Sequence, residues 1–233
     1  MNIKRSILLL LIGFVGGFLS VHFFSFRYIE KYLTSDERSD LIPFEIIEKK
    51  EVTIRENEAL IERMERAEKA VIGIRTELRG KVIEGSGLIV SSDGLIVTFS
   101  EIVPVGGSFS FFVNGEKAPY EVVKRNSQLT LIKIDKRGLA TPEFGDEKRI
   151  KPGERVFLAG AVFNEKNQVV KSFNEGIVKM VNSYIRTNII EESKLIGSSL
   201  FDIEGRFLGL NLIGTKGEVY SVPVSEIQEF VGL

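Results

Sequence analysis

The chain has 233 residues, and its 31 lysines and arginines nearly balance 32 aspartates and glutamates. The resulting net charge of −1 gives no support to nucleic-acid binding, which usually requires a basic excess. The chain has no cysteine, which excludes disulfides, thiol nucleophiles and cysteine-based zinc sites. The one histidine, His22, lies in an apolar N-terminal run, so the rest of the chain lacks the imidazole of a serine–histidine–aspartate triad. We expect no metal site and no cofactor.

The N-terminal part predicts a membrane anchor. Residues 6–26 carry no charged side chain, and this run is long enough to cross a bilayer as one helix after a head of residues 1–5. Lys4 and Arg5 precede the run, so a cleaved secretory signal is the alternative. The run is long for such a signal, and no Ala-x-Ala-like cleavage site follows it. We therefore expect a single-pass protein of the cell membrane with an extracytoplasmic globular domain.

The next residues predict a connection to that domain. Residues 27–50 are polar and of mixed charge, which is typical of a tether. Residues 51–70 predict a lead-in with a short strand at 51–55 and a helix at 58–70. The apolar face of this helix is formed by Leu60, Ile61, Met64, Ala67 and Val71.

From residue 71 onward, short alternating runs between turn residues predict strands. The first group covers 71–77, 82–91, 95–99, 108–113, 120–124 and 129–134. The second group covers 155–160, 169–173, 175–181, 184–187, 200–203, 207–212 and 218–222. The predicted fold is therefore all-β, with two six-stranded antiparallel β-barrels at 71–140 and 141–233 and a short C-terminal helix after Pro223.

Several motifs occur in a characteristic order. Residues 186–211 have the layout strand, loop, strand, tight turn at Glu204-Gly205, strand. Upstream are Gly85-Ser86-Gly87 before an apolar run, for which we expect a bulge or turn, and Leu-Thr-Leu-Ile-Lys-Ile at 129–134. Tyr-Ser-Val-Pro at 220–223 closes the series. Together these stretches resemble trypsin-like serine proteases of the HtrA/Deg type, which have the chymotrypsin fold, over about residues 71–231.

The resemblance also places the catalytic positions. The family signature Gly-Asn-Ser-Gly-Gly-Pro-Leu falls on residues 194–200, so Ile196 stands at the position of the serine. By the same matching, Glu101 stands at the position of the histidine and Gln128 at that of the aspartate. Lys194 and Leu195 occupy the former oxyanion loop. The sequence therefore predicts no catalytic residue at the triad positions and indicates a chain that is not an enzyme.

The resemblance still implies peptide binding although the triad positions are replaced, because an exposed strand edge can pair with any extended peptide. It implies that the peptide adds along Asn211, Leu212, Ile213, Gly214 and Thr215. The favoured interpretation is a membrane-anchored pseudoprotease that binds peptides or partner proteins without cutting them. We expect no PDZ module after the barrels, and the resemblance allows a trimer.

Two alternatives remain open at this point. One is a purely structural scaffold in which the former cleft is filled. The other is a residual serine hydrolase that uses Ser198 as the nucleophile and Lys194 as its base. Such a pair requires a desolvated lysine within hydrogen-bond reach of the serine.

Overall fold

The computed structural model describes residues 18–19 and 44–233. The chain divides into two units between Ile54 and Arg55. In the first unit, residues 18–19 are helical and a helix begins at Phe44. Among the described residues, no helix is both long and apolar enough to cross a membrane. The predicted anchor at 6–26 lies outside the described residues, apart from Phe18 and Leu19. Most of the predicted tether also lies outside them.

The lead-in segment is helical throughout. Helix α1 spans Phe44–Ala67, and a 3-10 turn at Glu68–Ala70 continues it. The strand predicted at 51–55 is therefore wrong. No glycine or proline interrupts 44–67, so a local alternation of five residues does not stop the helix. In its second half Leu60 and Ala67 are buried, whereas Ile61 is 56% exposed and lies outside the apolar face.

The strands follow the predicted alternation closely, and all but one of them occur near their predicted positions. The strands are β1 Val71–Leu78, β2 Lys81–Ile89, β3 Leu95–Phe99, β4 Ser108–Val113, β5 Glu116–Ala118, β6 Tyr120–Arg125, β7 Leu129–Ile134, β8 Arg155–Phe163, β9 Val169–Val181, β10 Ile185–Ile190, β11 Ser199–Asp202, β12 Phe207–Ile213 and β13 Glu218–Pro223. Three-residue β5 is the addition. Strand β9 is continuous where two runs were expected, because Asn174 stays paired with Leu158.

The first group of strands forms an open sheet of seven strands, in the order β5-β4-β1-β2-β3-β7-β6. The prediction of a closed six-stranded barrel is wrong here. Pro119, which has no N–H to donate, separates the two edge strands β5 and β6. Ring contacts replace hydrogen bonds across the gap, where Tyr120 packs on Phe111 with ring centroids 4.8 Å apart. The sheet is thus a half-barrel closed by packing.

The second group closes completely, in the order β10-β13-β12-β11-β8-β9. This barrel of six strands confirms the prediction that the second group of strands forms a closed six-stranded barrel. Its interior is filled by aliphatic side chains such as Leu158, Leu200 and Val219. A second core, which includes Phe201 and Phe207 from this barrel, is shared with the first sheet and with helix α2 (Val224–Val231). The shared core fixes the two sheets against each other.

Lys171 of β9 holds the end of the lead-in segment against the barrel. Its ammonium group donates to the carbonyl oxygen of Glu68 at 2.6 Å and to that of Val71. These carbonyls lie at the C-terminal end of α1 and its 3-10 turn, where a cation complements the helix dipole. Burial nevertheless lowers the pKa of Lys171 to about 8, although the charge of Glu68 opposes that shift.

This shifted pKa predicts a pH-dependent stability. Between about pH 8 and pH 10.5 the unfolded chain binds more protons at Lys171 than the folded chain, so the free energy of unfolding rises with pH in that window. Relative to Lys171→Met, the wild type should gain about 2–3 kcal/mol between pH 7.5 and 10.5. Urea denaturation of both proteins at the two pH values measures this change. If the free energies of unfolding of the two proteins differ by the same amount at both pH values, the prediction is wrong.

Candidate functional site

Ser86 of β2 connects the two sheets beside the predicted catalytic loop. Its hydroxyl oxygen accepts the N–H of Ala161 in β8 at 2.8 Å, and its own N–H donates to the carbonyl of Ile196 at 2.8 Å. The Ser86 carbonyl accepts the Thr98 hydroxyl at 2.7 Å. The expected bulge or turn is therefore wrong: residues 85–87 run within β2. A Cβ on Gly85 would lie 2.9 Å from the Ile196 carbonyl oxygen, so glycine permits the close approach.

The loop after β10 contains a 3-10 turn at Ser193–Leu195 and then packs against this junction. Gly197 has φ +76°, and a Cβ there would overlap the carbonyl oxygen of Ser86. Its N–H donates to the Asn211 carbonyl at 2.9 Å. Leu195 is buried, and Ile196 is partly buried against the shared core. The loop is thereby fixed by backbone hydrogen bonds and by two apolar side chains.

The other two positions predicted to match the triad, Glu101 and Gln128, lie on neighbouring segments of the first sheet. The N–H of Ser100 donates to the carbonyl of Gln128 at 2.8 Å, which brings Glu101 next to the β6–β7 turn. Glu101 is exposed and Gln128 is partly exposed. The next residue, Ile102, packs against both glycines of this junction. Its Cδ1 atom lies 2.7 Å from where a Cβ would stand on Gly85 and 2.8 Å from where one would stand on Gly197. The segments that carry the three predicted positions therefore converge on the junction between the sheets.

The structure does not bring Ser198 and Lys194 together as a catalytic pair. The Lys194 ammonium group lies 2.7 Å from the Glu192 carboxylate, and this hydrogen bond raises the pKa of Lys194. Ser198 is fully buried, and its hydroxyl oxygen accepts from the side-chain amide of Asn211 at 3.1 Å. A charged, exposed lysine has no tendency to take the proton of a buried hydroxyl.

Asn211 is the polar centre of the second barrel beneath the loop. Its side-chain amide donates to Ser198, and its side-chain oxygen accepts the hydroxyl of Ser221 at 2.5 Å. Its backbone N–H donates to the Ser198 carbonyl at 2.8 Å. Because all these groups are buried, each hydrogen bond avoids a desolvation cost. They fix β12 at the point where the predicted peptide-binding segment begins.

Beyond Asn211, one side of β12 has no neighbouring strand among the described residues. β11 begins at Ser199, opposite Leu210, and does not extend past that point. Leu212 pairs with Tyr220 of β13, whereas Asn211 bonds to the loop on the opposite side. Backbone groups alternate along a strand, so Ile213 directs its N–H and C=O to the loop side. Gly214 and the exposed Thr215 follow in the turn.

The family model described as a trypsin-like peptidase domain matches residues 85–210, more than half of the chain. The chain belongs to this trypsin-like family. Its relatives are of the HtrA/Deg type: it is 29% identical over 164 residues to "Serine protease HTRA1A" of Danio rerio, covering 64% of this chain and 34% of the relative. It is 25% identical over 135 residues to "Probable periplasmic serine endoprotease DegP-like" of Pseudomonas putida, covering 54% and 28%. The chain thus spans about a third of the length of these relatives.

Solved structures agree on the fold. The structure titled "HtrA-type protease AlgW with tripeptide" superposes with a TM-score of 0.65 at 19% identity, covering 74% of this chain and 62% of that one. The open sheet and the closed barrel together therefore make a trypsin-like fold, as the resemblance implied.

One interpretation from the sequence is contradicted. The replaced triad positions indicated a chain that is not an enzyme, but the relatives are named serine proteases and the solved neighbours are HtrA-type proteases. The assignment of Glu101, Gln128 and Ile196 to the triad positions stays a prediction, as does that of Lys194 and Leu195 to the oxyanion loop.

The side-chain hydrogen bonds of Ser86 and Asn211 were not predicted from the sequence. Ser86 gives no signal beyond its two flanking glycines, and its bond to Ala161 joins residues 75 positions apart. Asn211 had a signal, because it is a polar residue within the apolar run of β12. A buried asparagine in such a strand predicts side-chain partners, and these are Ser198 and Ser221.

Neighbouring Ser198 and Ser199 form a matched pair for mutation. Ser198→Ala should lower the free energy of unfolding by about 1–3 kcal/mol, because the Asn211 amide loses a buried acceptor. Ser199 is also buried, but its hydroxyl has no hydrogen-bond partner in the part of the protein that the structure describes. Ser199→Ala should therefore leave stability unchanged or raise it by about 1 kcal/mol. Urea denaturation measures the free energy of unfolding of both variants. Equal losses of stability would contradict the conclusion that Ser198, and not Ser199, makes a stabilising hydrogen bond.

Gly197 should tolerate alanine poorly. Gly197→Ala adds about 1–2 kcal/mol of left-handed strain and also a clash with the Ser86 carbonyl. Gly106→Ala is the control, because Gly106 has φ +85° but a Cβ added there would meet nothing within 4 Å. The free energy of unfolding should fall further for Gly197→Ala than for the control. The same loss in both variants would show that the loop is not held against Ser86.

Proposed function

We propose that this trypsin-like domain binds extended polypeptide segments by strand addition to the free side of β12, along residues 211–215. The observation that carries the proposal is the direction of the Ile213 backbone groups, which alternation turns toward the side without a strand partner. An added strand would donate to and accept from those groups. Main-chain pairing of this kind supplies affinity for polypeptides of many sequences.

The residues around this edge hold it in a fixed conformation, which favours peptide binding more than exposure of the strand alone would. Asn211 is fixed by its bonds to Ser198 and Ser221, so the edge is pre-organised before a peptide arrives. Gly214 forms the end of the edge, and its N–H donates to the Glu218 carbonyl at 2.8 Å, which ties this end to β13. A Cβ on Gly214 would lie 2.7 Å from a Glu218 carboxylate oxygen, so glycine leaves room for the Glu218 side chain.

We also propose that residues 6–26 anchor the protein in a membrane with the trypsin-like domain on the extracytoplasmic side. The support comes from the uncharged run itself and from the relatives, of which the DegP-like proteins are named periplasmic. Such an anchor would present the 211–215 edge to polypeptides near the membrane surface.

The test of peptide binding uses the full-length protein in detergent micelles with fluorescein-labelled β-casein as an unfolded polypeptide probe. Ile213→Pro removes the N–H on which strand addition depends and should weaken binding by about tenfold, the order expected for a lost hydrogen bond and a distorted edge. Val122→Pro is the matched control, because it makes the same change in β6, the edge strand of the other sheet. Fluorescence anisotropy measures binding, and gels of the same samples measure cleavage.

Thermal melting and hydrogen exchange separate loss of the edge from loss of the fold. Bound β-casein should slow exchange of the Ile213 amide in the wild type. No binding by the wild type would overturn the proposed function. Unchanged binding by a folded Ile213→Pro, or equal losses in both proline variants, would overturn strand addition at β12.

A further inference from the structure

A groove opens in the second barrel where the pairing of β10 is interrupted on both sides. Toward β13, the register shifts between Arg186, opposite Tyr220, and Ile190, opposite Glu218. Toward β9, it shifts between Arg186, opposite Met180, and Thr187, opposite Val178. On both sides, therefore, the regular pairing of β10 extends to Arg186 and shifts after it. Bulges locally bend a strand and redirect its side chains.

Side chains stabilise this interruption, so the groove is a fixed feature of the barrel. The Thr187 hydroxyl donates to the Val219 carbonyl at 3.2 Å and accepts the N–H of Ile189. The side-chain oxygen of Asn188 accepts the N–H of Ile177 at 2.7 Å. These bonds take the place of backbone pairs that the bulges remove.

We call the resulting cavity the bulge groove. Its volume is about 510 Å³, within the usual range for ligand sites. Apolar surface comes from Met180 and from two tyrosines, Tyr184 and Tyr220, whose rings meet edge to face with centroids 5.4 Å apart. The polar lining comes from Lys179, Arg186, Thr187 and Glu218. An apolar floor with a few charged groups is typical of a recognition site.

The charges of the bulge groove favour an anion. Lys179 and Arg186 are exposed, and neither forms an ion pair with any residue of the described range 44–233. Glu218 is the one carboxylate in the lining; it already accepts the N–H of Lys216 at 3.2 Å. Arg186 lies opposite Met180 and Tyr220 in the sheet, so its guanidinium projects from between two apolar neighbours.

We propose that the bulge groove is a second polypeptide-recognition site, which takes a carboxylate next to an apolar side chain. The guanidinium of Arg186 and the ammonium of Lys179 would bind the carboxylate, and Met180 and the tyrosine pair would cover the apolar neighbour. The occupant is an acidic segment of a partner or substrate polypeptide. The carboxylate comes either from a glutamate or aspartate side chain or from the C-terminus of the bound polypeptide.

The bulge groove and the edge at 211–215 lie on opposite sides of β13, which runs between β10 and β12, and Glu218 is the residue that touches both. The proposed ligands of the groove, Arg186 and Lys179, lie on the side of β13 away from the edge. It does not require strand addition. The two proposals can therefore fail independently of each other: the Ile213→Pro variant tests the edge, and charge-removing variants in the bulge groove test the second site.

The experiment uses the full-length protein in detergent micelles and three fluorescein-labelled hexapeptides of alternating sequence. The first contains leucine and glutamate and has an amidated C-terminus; the second has glutamine for glutamate; the third is the glutamine peptide with a free C-terminus. We expect at least one of the two peptides that carry a carboxylate, the first or the third, to bind at least about tenfold more tightly than the amidated glutamine peptide. Arg186→Gln and Lys179→Gln should each remove most of this preference, and Met180→Ala should weaken binding of the glutamate peptide.

Lys166→Gln is the matched control, because Lys166 is exposed in the β8–β9 turn, outside the groove. It changes the net charge by the same amount and should leave binding unaffected. Tight binding of the third peptide would identify a C-terminal carboxylate as the ligand, and tight binding of the first alone would identify an acidic side chain. Equal binding of all three peptides would overturn the proposal. So would folded Arg186→Gln with unchanged preference, or an equal loss in Lys166→Gln.

Discussion

The contact between Ser86 and the second barrel is the constraint on which the candidate site depends. One buried serine joins three parts of the fold, because it bonds Ala161 of β8, the Ile196 carbonyl of the loop and the hydroxyl of Thr98 in β3. The flanking glycines allow these backbones to approach closely. Loss of any one partner would leave a buried polar group without water or protein to satisfy it, which is costly in a packed interior. The position of the loop is thus set by the sheet junction, not by the loop sequence alone.

From this junction the constraint continues into the second barrel. Gly197 bonds to the backbone of Asn211, and the side chain of Asn211 connects Ser198 to Ser221. In the part of the chain that the structure describes, the backbone hydrogen bonds between the loop and β12 therefore extend to Asn211 and no further along the strand. The free edge begins where this hydrogen-bond network ends, so the same residues that close the loop also define the first position available to an added strand.

Much of the fold was predictable because alternation reports which face of a strand is buried. The strands of both sheets and helix α2 after Pro223 follow from that pattern and from turn residues such as Asn114-Gly115. The open first sheet was not predictable, because it depends on Pro119 and on ring packing of Tyr120 across a gap. Helix α1 was also misjudged, since five alternating residues cannot reveal that the helix continues through them. In the site, the matching of Glu101, Gln128 and Ile196 to the triad stays a prediction, and the Asn211 network could not be predicted because only the fold brings Ser198 and Ser221 together.

The two sheets therefore differ in how well each can hold a binding site of fixed shape. The first sheet closes through rings such as Phe111 and Tyr120 and through an ion pair between Lys136 and Glu116 of β5, and side-chain contacts of this kind do not impose a strict register. The second sheet closes by hydrogen bonds on every side, so an interruption in it must be compensated by particular side chains, as Thr187 and Asn188 do at the bulge groove. A concavity held in this way keeps its shape without a ligand. That is the physical reason to place recognition in the closed barrel, with the first sheet acting as its support through Ser86.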